Sequence, residues 1–145
     1  MKMLNRLYLI KFMLIVGGYL LPFLAQAQVF EFSVVSCDSH SPPNYFSSIQ
    51  MGVKNLGSKT VDSIRIKYNV LDEKKKIFRS DSWSFNGIRQ DKTVVDRVLA
   101  INSISCQEIS AIEIVSATCS FVGEAKGYDC YNVIRPMPGA LKVIK

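Results

Sequence analysis

The chain is poor in the residues that reaction chemistry depends on. Its 145 positions hold one histidine, His40, and one tryptophan, Trp83. A lone imidazole in the Pro-rich loop SHSPPNY, with no G-x-S-x-G anywhere, gives a serine or cysteine nucleophile no base to work with. Glycine loops of the phosphate-binding kind are absent. So is C-x-x-C: the four cysteines, Cys37, Cys106, Cys119 and Cys130, stand 69, 13 and 11 positions apart, whereas zinc sites draw ligands from pairs two to four residues apart. The acids fall mostly in turns and at outward strand positions, which gives paired-carboxylate chemistry no focus. No catalytic, metal-ligating or cofactor-binding residue is therefore expected, and an envelope hydrolase or an enzyme inhibitor is the weakest reading of the chain.

Long apolar runs are missing too, except at the start. Lys2, Arg6 and Lys11 precede an apolar run, 12–24, that closes on Ala25-Gln26-Ala27, the form of a secretory signal with an A-x-A cut. Gly17, Gly18 and Pro22 interrupt that run, and it falls short of the roughly 20 residues a bilayer span needs, so no span is expected in the mature form. The first cysteine lies well past the cut, which argues against a lipoprotein. Cleavage after Ala27 leaves 118 residues, enough for one domain with one core. It also removes three cations and no acid, so 15 basic residues face 12 acidic ones and the net charge is +3 rather than +6. That balance favours neither nucleic acid nor anionic lipid as a partner. Lys74, Lys75 and Lys76 sit beside Asp72 and Glu73 and read as a solvated hairpin tip. The expected location is periplasmic or secreted.

What is present is alternation. No dozen-residue stretch after the signal keeps a 3.6-residue apolar period, while period two recurs throughout. Residues 29–36 place Phe30, Phe32 and Val34 on one face, and Ile49, Met51 and Val53 repeat the pattern. The clearest strand, 61–72, turns Ile64, Ile66, Tyr68 and Val70 one way and Arg65, Lys67 and Asn69 the other. A charged turn leads into a fourth strand carrying Trp83 and Phe85, which Asn86-Gly87 ends. Strands at 92–100, 109–121 and 129–135 complete a set of seven. Short strands with turn signals about every ten residues are the pattern of an all-β, immunoglobulin/fibronectin-III-like antiparallel sandwich over 28–135. Residues 136–145, with two prolines, read as a C-terminal tail or edge extension.

That topology sorts the cysteines. With seven strands running alternately up and down, Cys37 and Cys106 fall at one end of the sandwich and Cys119 and Cys130 at the other. Of the three possible pairings this selects Cys37–Cys106 and Cys119–Cys130. Export to an oxidising compartment makes bridges the expected chemistry. On the chain-entropy model the long loop contributes ~4 kcal/mol and the short one ~3 kcal/mol.

The stretch 51–98, MGVKNLGSKTVDSIRIKYNVLDEKKKIFRSDSWSFNGIRQDKTVVDRV, resembles the FxLYD-type domains of exported bacterial proteins. Those domains open with V-x-N-x-G-x-x-x-V-x-x-V, end a strand in F-x-L-Y-D and continue into a charged hairpin. Here YNVLD at 68–72 takes the place of the naming motif with Asp72 identical, and 89–92 replace the usual Pro-Gly. The resemblance implies a sandwich, an envelope location and no catalytic residues. In size, signal and β-pattern, though not in any motif, the chain is also similar to small secreted fibronectin-III-like proteins of the bacterial interleukin-receptor-mimic kind, which implies an extracellular binding role.

The leading expectation is a non-enzymatic protein-interaction module whose partner is a host or envelope protein. Loops 55–60, 86–92 and 121–128 cluster at one end of such a sandwich. Arg89, Phe121 and Tyr128 are the candidate anchors, because Arg and aromatics dominate interaction hot spots. Trp83 is a core residue or a contact face. The bridge Cys119–Cys130 is expected to pre-order its loop and so lower the entropy lost on binding. The alternative is assembly through an exposed first or last strand, as a strand-swapped homodimer or a surface fibre.

Overall fold

Alternation along each long strand decides the architecture. In a computed structural model describing residues 28–42 and 45–145, the strands are β1 (Phe30–His40), β2 (Phe46–Asn55), β3 (Val61–Leu71), β4 (Ile77–Ile88), β5 (Thr93–Asn102), β6 (Ala111–Phe121), β7 (Tyr128–Asp129), β8 (Ile134–Pro136) and β9 (Lys142–Ile144). The signal expected at 1–27 lies outside the described residues. Two sheets face each other, one ordered β5-β2-β1-β8 and the other β4-β3-β6-β7 with β9 also on β6. The fold is an all-β sandwich.

Between the sheets lies the one core that the period-two positions supply. Phe30, Phe32 and Val34 of β1 and Ile49, Met51 and Val53 of β2 meet Ile64, Ile66 and Val70 of β3 and Ile112 and Ile114 of β6, all buried. Phe32 and Phe85 pack edge to face across the gap, with centroids 6.5 Å apart, the arrangement the ring quadrupoles favour. Tyr68 is buried with its hydroxyl unpartnered. Burial first, then the nearby Asp81 carboxylate, pushes its phenol far above the usual range. The bulge between Val34 and Ser36 lets β1 keep its inward set while Val35 turns to solvent.

Both bridges are formed, Cys37 with Cys106 and Cys119 with Cys130. The first joins the far end of β1 to a 3-10 turn, Cys106–Glu108. That turn is held by the Glu108 carboxylate, which accepts the Ser105 N–H at 2.7 Å, and by the Cys106 N–H, which donates to Ser39 Oγ at 2.8 Å. The second bridge lies at the opposite pole and is buried.

Among the described residues nine strands stand where seven are expected, and the difference is all at the C-terminal end. The single strand expected at 129–135 is broken because the Asp129 carboxylate accepts the Tyr131 N–H at 2.9 Å, turning the chain into the 3-10 turn Tyr131–Val133. The chain then leaves one sheet and enters the other. β8 runs parallel to β1, pairing Phe30 with Ile134 and Phe32 with Pro136, and β9 runs parallel to β6. β7 and β8 both run in the direction expected of a single seventh strand, and β9 runs back, so the chain changes sheet while the up-and-down order is kept. Met137 N–H and Ala140 N–H donate to the Phe32 and Val34 carbonyls, both at 2.8 Å, carrying the pairing through the crossing.

Residues 134–144 are thus a strap that closes one side of the sandwich. As a result β1 is paired by β2 along its length and by β8 over Phe30–Phe32, and of the two strands the assembly alternative names it is the last, expected at 129–135 and present as β8, that stands at a sheet edge. The long free edges among the described residues are β4 and β5, on the opposite side, where Trp83 Nε1 donates to Asp96 Oδ2 at 3.1 Å.

The strap's tightest point is Gly139, where a Cβ would lie 2.2 Å from the Val34 carbonyl oxygen. Backbone cannot yield as a flexible side chain can, so Gly139→Ala is expected to lift the strap at a cost of about 1–3 kcal/mol. Thermal unfolding and amide exchange at Met137 and Ala140 check this; unchanged protection at both amides would show that the strap does not press on β1.

Candidate functional site: a pole of three tied loops

β2 ends on Asn55, β4 on Ile88 and β6 on Phe121, so the loops 56–60, 89–92 and 122–127 leave the same end of the sandwich. They are not independent. Asn55 is 0% exposed, and its side chain is used at every atom. Oδ1 accepts the Gly57 N–H at 2.9 Å, the local turn typical of an Asn two residues before the donor, and also accepts Gln28 Nε2. Nδ2 donates to the Lys59 carbonyl at 2.8 Å and to the Ile88 carbonyl at 3.0 Å. Its main chain joins in: Asn55 N–H donates to the Lys92 carbonyl, and Asp91 N–H to the Asn55 carbonyl at 2.7 Å. One residue thereby fixes two of the loops and the beginning of the described chain.

The third loop is tied from its own side. Val122 N–H donates to the Thr60 carbonyl at 3.1 Å. Lys59 Nζ lies 2.7 Å from Glu124 Oε1 and 5.3 Å from the centre of the Phe121 ring, and Tyr128 Oη donates to Glu124 Oε2 at 2.7 Å. The Tyr128 ring leans on Phe121 with centroids 5.7 Å apart, and the bridge Cys119–Cys130 closes the loop beneath them. The hydrogen bond from Lys59, then that from Tyr128, holds the Glu124 carboxyl below its ordinary value, while the same carboxylate raises Lys59 and Tyr128.

Of the four candidate binding residues, two reach this pole as surface. Tyr128 is 41% exposed, and Arg89 is exposed with no side-chain hydrogen bond among the described residues. Phe121 is 7% exposed and belongs to the core, where it supports Tyr128 from beneath. Trp83 is elsewhere: mid-strand on β4, half-buried, on the open side between the sheets. Sequence reasoning missed Asn55, Lys59, Glu124 and the exposed Val122. The turn-forming NLGS string signalled a loop, but nothing in it marks an amide that reaches across to a different loop.

The titratable groups of the described residues are paired or far apart. Glu124 is neutralised by Lys59, and His40 lies at the other pole, stacked on Phe46 at 4.3 Å. Among the described residues no cluster of three His, Cys, Asp or Glu side chains is placed to hold a metal ion.

Fold and site together define a doubly bridged β-sandwich of the immunoglobulin/fibronectin-III kind, presenting one pole of cross-tied loops. Among solved structures the chain is similar to IrmA from Escherichia coli, with a TM-score of 0.60 and 13% identity over 81% of this chain and 98% of that one. At that identity the likeness concerns the fold. No family model matches the chain, so the FxLYD-type resemblance has no support at that level, and no curated protein matches it either.

Asn55→Ala leaves two carbonyls and an N–H without their partner in a buried place, and a loss of about 3 kcal/mol in urea unfolding is expected. Asn55→Asp keeps the shape but points a carboxylate at carbonyl oxygens, so its folded-state pKa is raised and its stability falls as pH rises through that value. Equal behaviour of the two variants at all pH values would reduce Asn55 to a space filler.

The Lys59–Glu124–Tyr128 cluster has its own pH window. Glu124, depressed below 4.5, contributes above that ordinary value and stops contributing as pH falls through the lowered one. Tyr128 and Lys59, raised above 10.0 and 10.5, contribute below those values and stop as pH rises through the raised ones. The Tyr128 ring resonances are expected to hold still between these limits and to sharpen on acidification, a transition that Glu124→Gln removes. A Tyr128 ring indifferent to acid in the unaltered protein would contradict the clamp.

Proposed function

We propose that this chain is an exported, non-enzymatic protein-interaction module that meets its partner with the pole formed by loops 56–60, 89–92 and 122–127. The observation that carries the reading is the tying of all three loops: Asn55 holds two of them, and Lys59, Glu124 and the bridge Cys119–Cys130 hold the third. Loops ordered before encounter lose less entropy on binding. Because the polar groups at the base of the pole bond to one another, its contact surface is what remains: Val122, 64% exposed, the outer face of Tyr128, and Arg89. An exposed apolar residue, an aromatic ring and an arginine are the composition that concentrates binding energy at interfaces. Two bridges support an oxidising compartment, periplasmic or secreted.

A second reading is edge-strand assembly, for which β4 and β5 offer longer edges than the short strand β8. These two strands, 12 and 10 residues long, lie uncovered on one side. An uncovered edge is a template for another strand.

One experiment separates the readings. The oxidised protein is used to capture partners from envelope and host-surface extracts, beside a Val122→Ser/Arg89→Ala/Tyr128→Ala variant and a variant with Lys placed at Val95 on β5. The pole reading expects the triple variant to lose binding by about 100-fold, from hot-spot losses of a few kcal/mol, while the β5 variant keeps it. Loss in the β5 variant alone, with a solution mass that rises with concentration, would replace this reading with edge assembly.

A further inference from the structure

Asn86 and Gly87 close β4 at the loop pole and form the single Asn-Gly pair in the chain. Asn86 is exposed, and its side chain makes no hydrogen bond among the described residues. Gly87 takes φ +65°, and a Cβ built there would meet nothing within 4 Å. The ladder with β3 pairs Ser63 with Asn86 and Val61 with Ile88, and Gly87 stands between them opposite Asp62. An unshielded backbone nitrogen with no side chain of its own thus stands next to a free side-chain amide. The other asparagines lack one or both conditions. Asn55 is buried and fully bonded, Asn69 donates to Glu113 and accepts from Ser80, and Asn102 precedes Ser103, whose Cβ crowds the nitrogen.

We propose that Asn86-Gly87 is a self-modifying site that ages the loop pole. The Gly87 nitrogen attacks Asn86 Cγ; a carbon–nitrogen bond forms, the side-chain amide nitrogen leaves as ammonia, and the Gly87 N–H proton goes with it. Water then opens the five-membered imide at either carbonyl, giving aspartate or isoaspartate. Water enters and ammonia leaves, with no oxidant, reductant or cofactor. The isoaspartate product reroutes the main chain through the side chain and lengthens it by one carbon. Two residues on, Ile88 supplies the carbonyl that Asn55 Nδ2 reaches at 3.0 Å, so lengthening β4 here pulls on the amide that ties the loops. Either product also sets a new negative charge three positions before Arg89.

The test ages the full, oxidised protein in mildly alkaline buffer, with peptide mass mapping, isoaspartate-specific methylation and amide exchange. Conversion at Asn86 is expected to run at least about tenfold ahead of Asn102 and Asn132, as the glycine partner and open placement require. The aged fraction is expected to exchange faster at Gly57 and Asp91, the amides bonded to Asn55. Asn86→Gln, whose ring closure is disfavoured by the extra methylene, is expected to keep both protected over the same time. Asn86 surviving as long as Asn102, or the Gln variant losing protection at the same rate, would overturn the proposal.

Discussion

A side-chain amide shut away from water is tolerable only when each of its polar atoms has a partner, and at Asn55 that requirement organises a whole end of the molecule. Its Oδ1 needs donors, which Gly57 and Gln28 supply; its two Nδ2 protons need acceptors, which come from Lys59 and Ile88. The four partners belong to the N-terminal strand's approach, the loop after β2 and the end of β4. If one of those segments moves away, a polar atom is stranded in a place where desolvation costs on the order of 1–3 kcal/mol. A hydrophobic side chain of the same volume would fill the space equally well and would leave the loops free of one another.

The same principle explains why the two ends of the sandwich differ. At the far pole, the bridge Cys37–Cys106 and the Ser39–Cys106 hydrogen bond pin a short 3-10 turn to the end of β1, and the hairpin tip at 72–76 stands in solvent. Order there comes from a covalent link and from local turns. At the loop pole, order comes from bonds between loops remote in sequence, such as Lys59 to Glu124. The lateral sides differ as well: the strap closes one with two three-residue parallel ladders, while the other is spanned by the Trp83–Asp96 hydrogen bond. Short parallel ladders are weak by themselves. The strap holds because Leu141 and Val143 are buried and Lys145 Nζ bonds to the Tyr131 and Ile134 carbonyls.

How much of this was legible in the sequence follows from the range over which each signal acts. Along β3, Ile64, Ile66, Tyr68 and Val70 announce a strand and its buried face because both are properties of consecutive residues. The order of the first six strands then falls out of turn spacing, and with it the ends at which the cysteines lie. The strap leaves no such trace. Three residues are too few to show a period, and parallel pairing with β1 depends on where the chain goes after the Asp129–Tyr131 turn. Asn55 was equally hidden: NLGSKT has the composition of any exposed turn, and burial of the amide is decided by Ile88 and Gln28, far away in the sequence. Trp83 and Phe121 were visible as large aromatics, but whether each is rim, core or contact depends on the strands beside them.

These constraints bear on the kind of recognition that the proposed function would give the pole. Its carboxylate, Glu124, and the cation beside it, Lys59, satisfy each other and the Tyr128 hydroxyl, so they have little left to offer a partner. On the proposed reading, affinity then comes from the parts that the internal network does not use, the apolar surface of Val122 and the Tyr128 ring, with Arg89 free to find an acceptor. Internal pairing would also limit salt dependence, since a screened partner contact through Arg89 alone is a small share of such an interface. On that reading the module's shape is held by hydrogen bonds that face inward, and its partner is met by surface that no hydrogen bond needs.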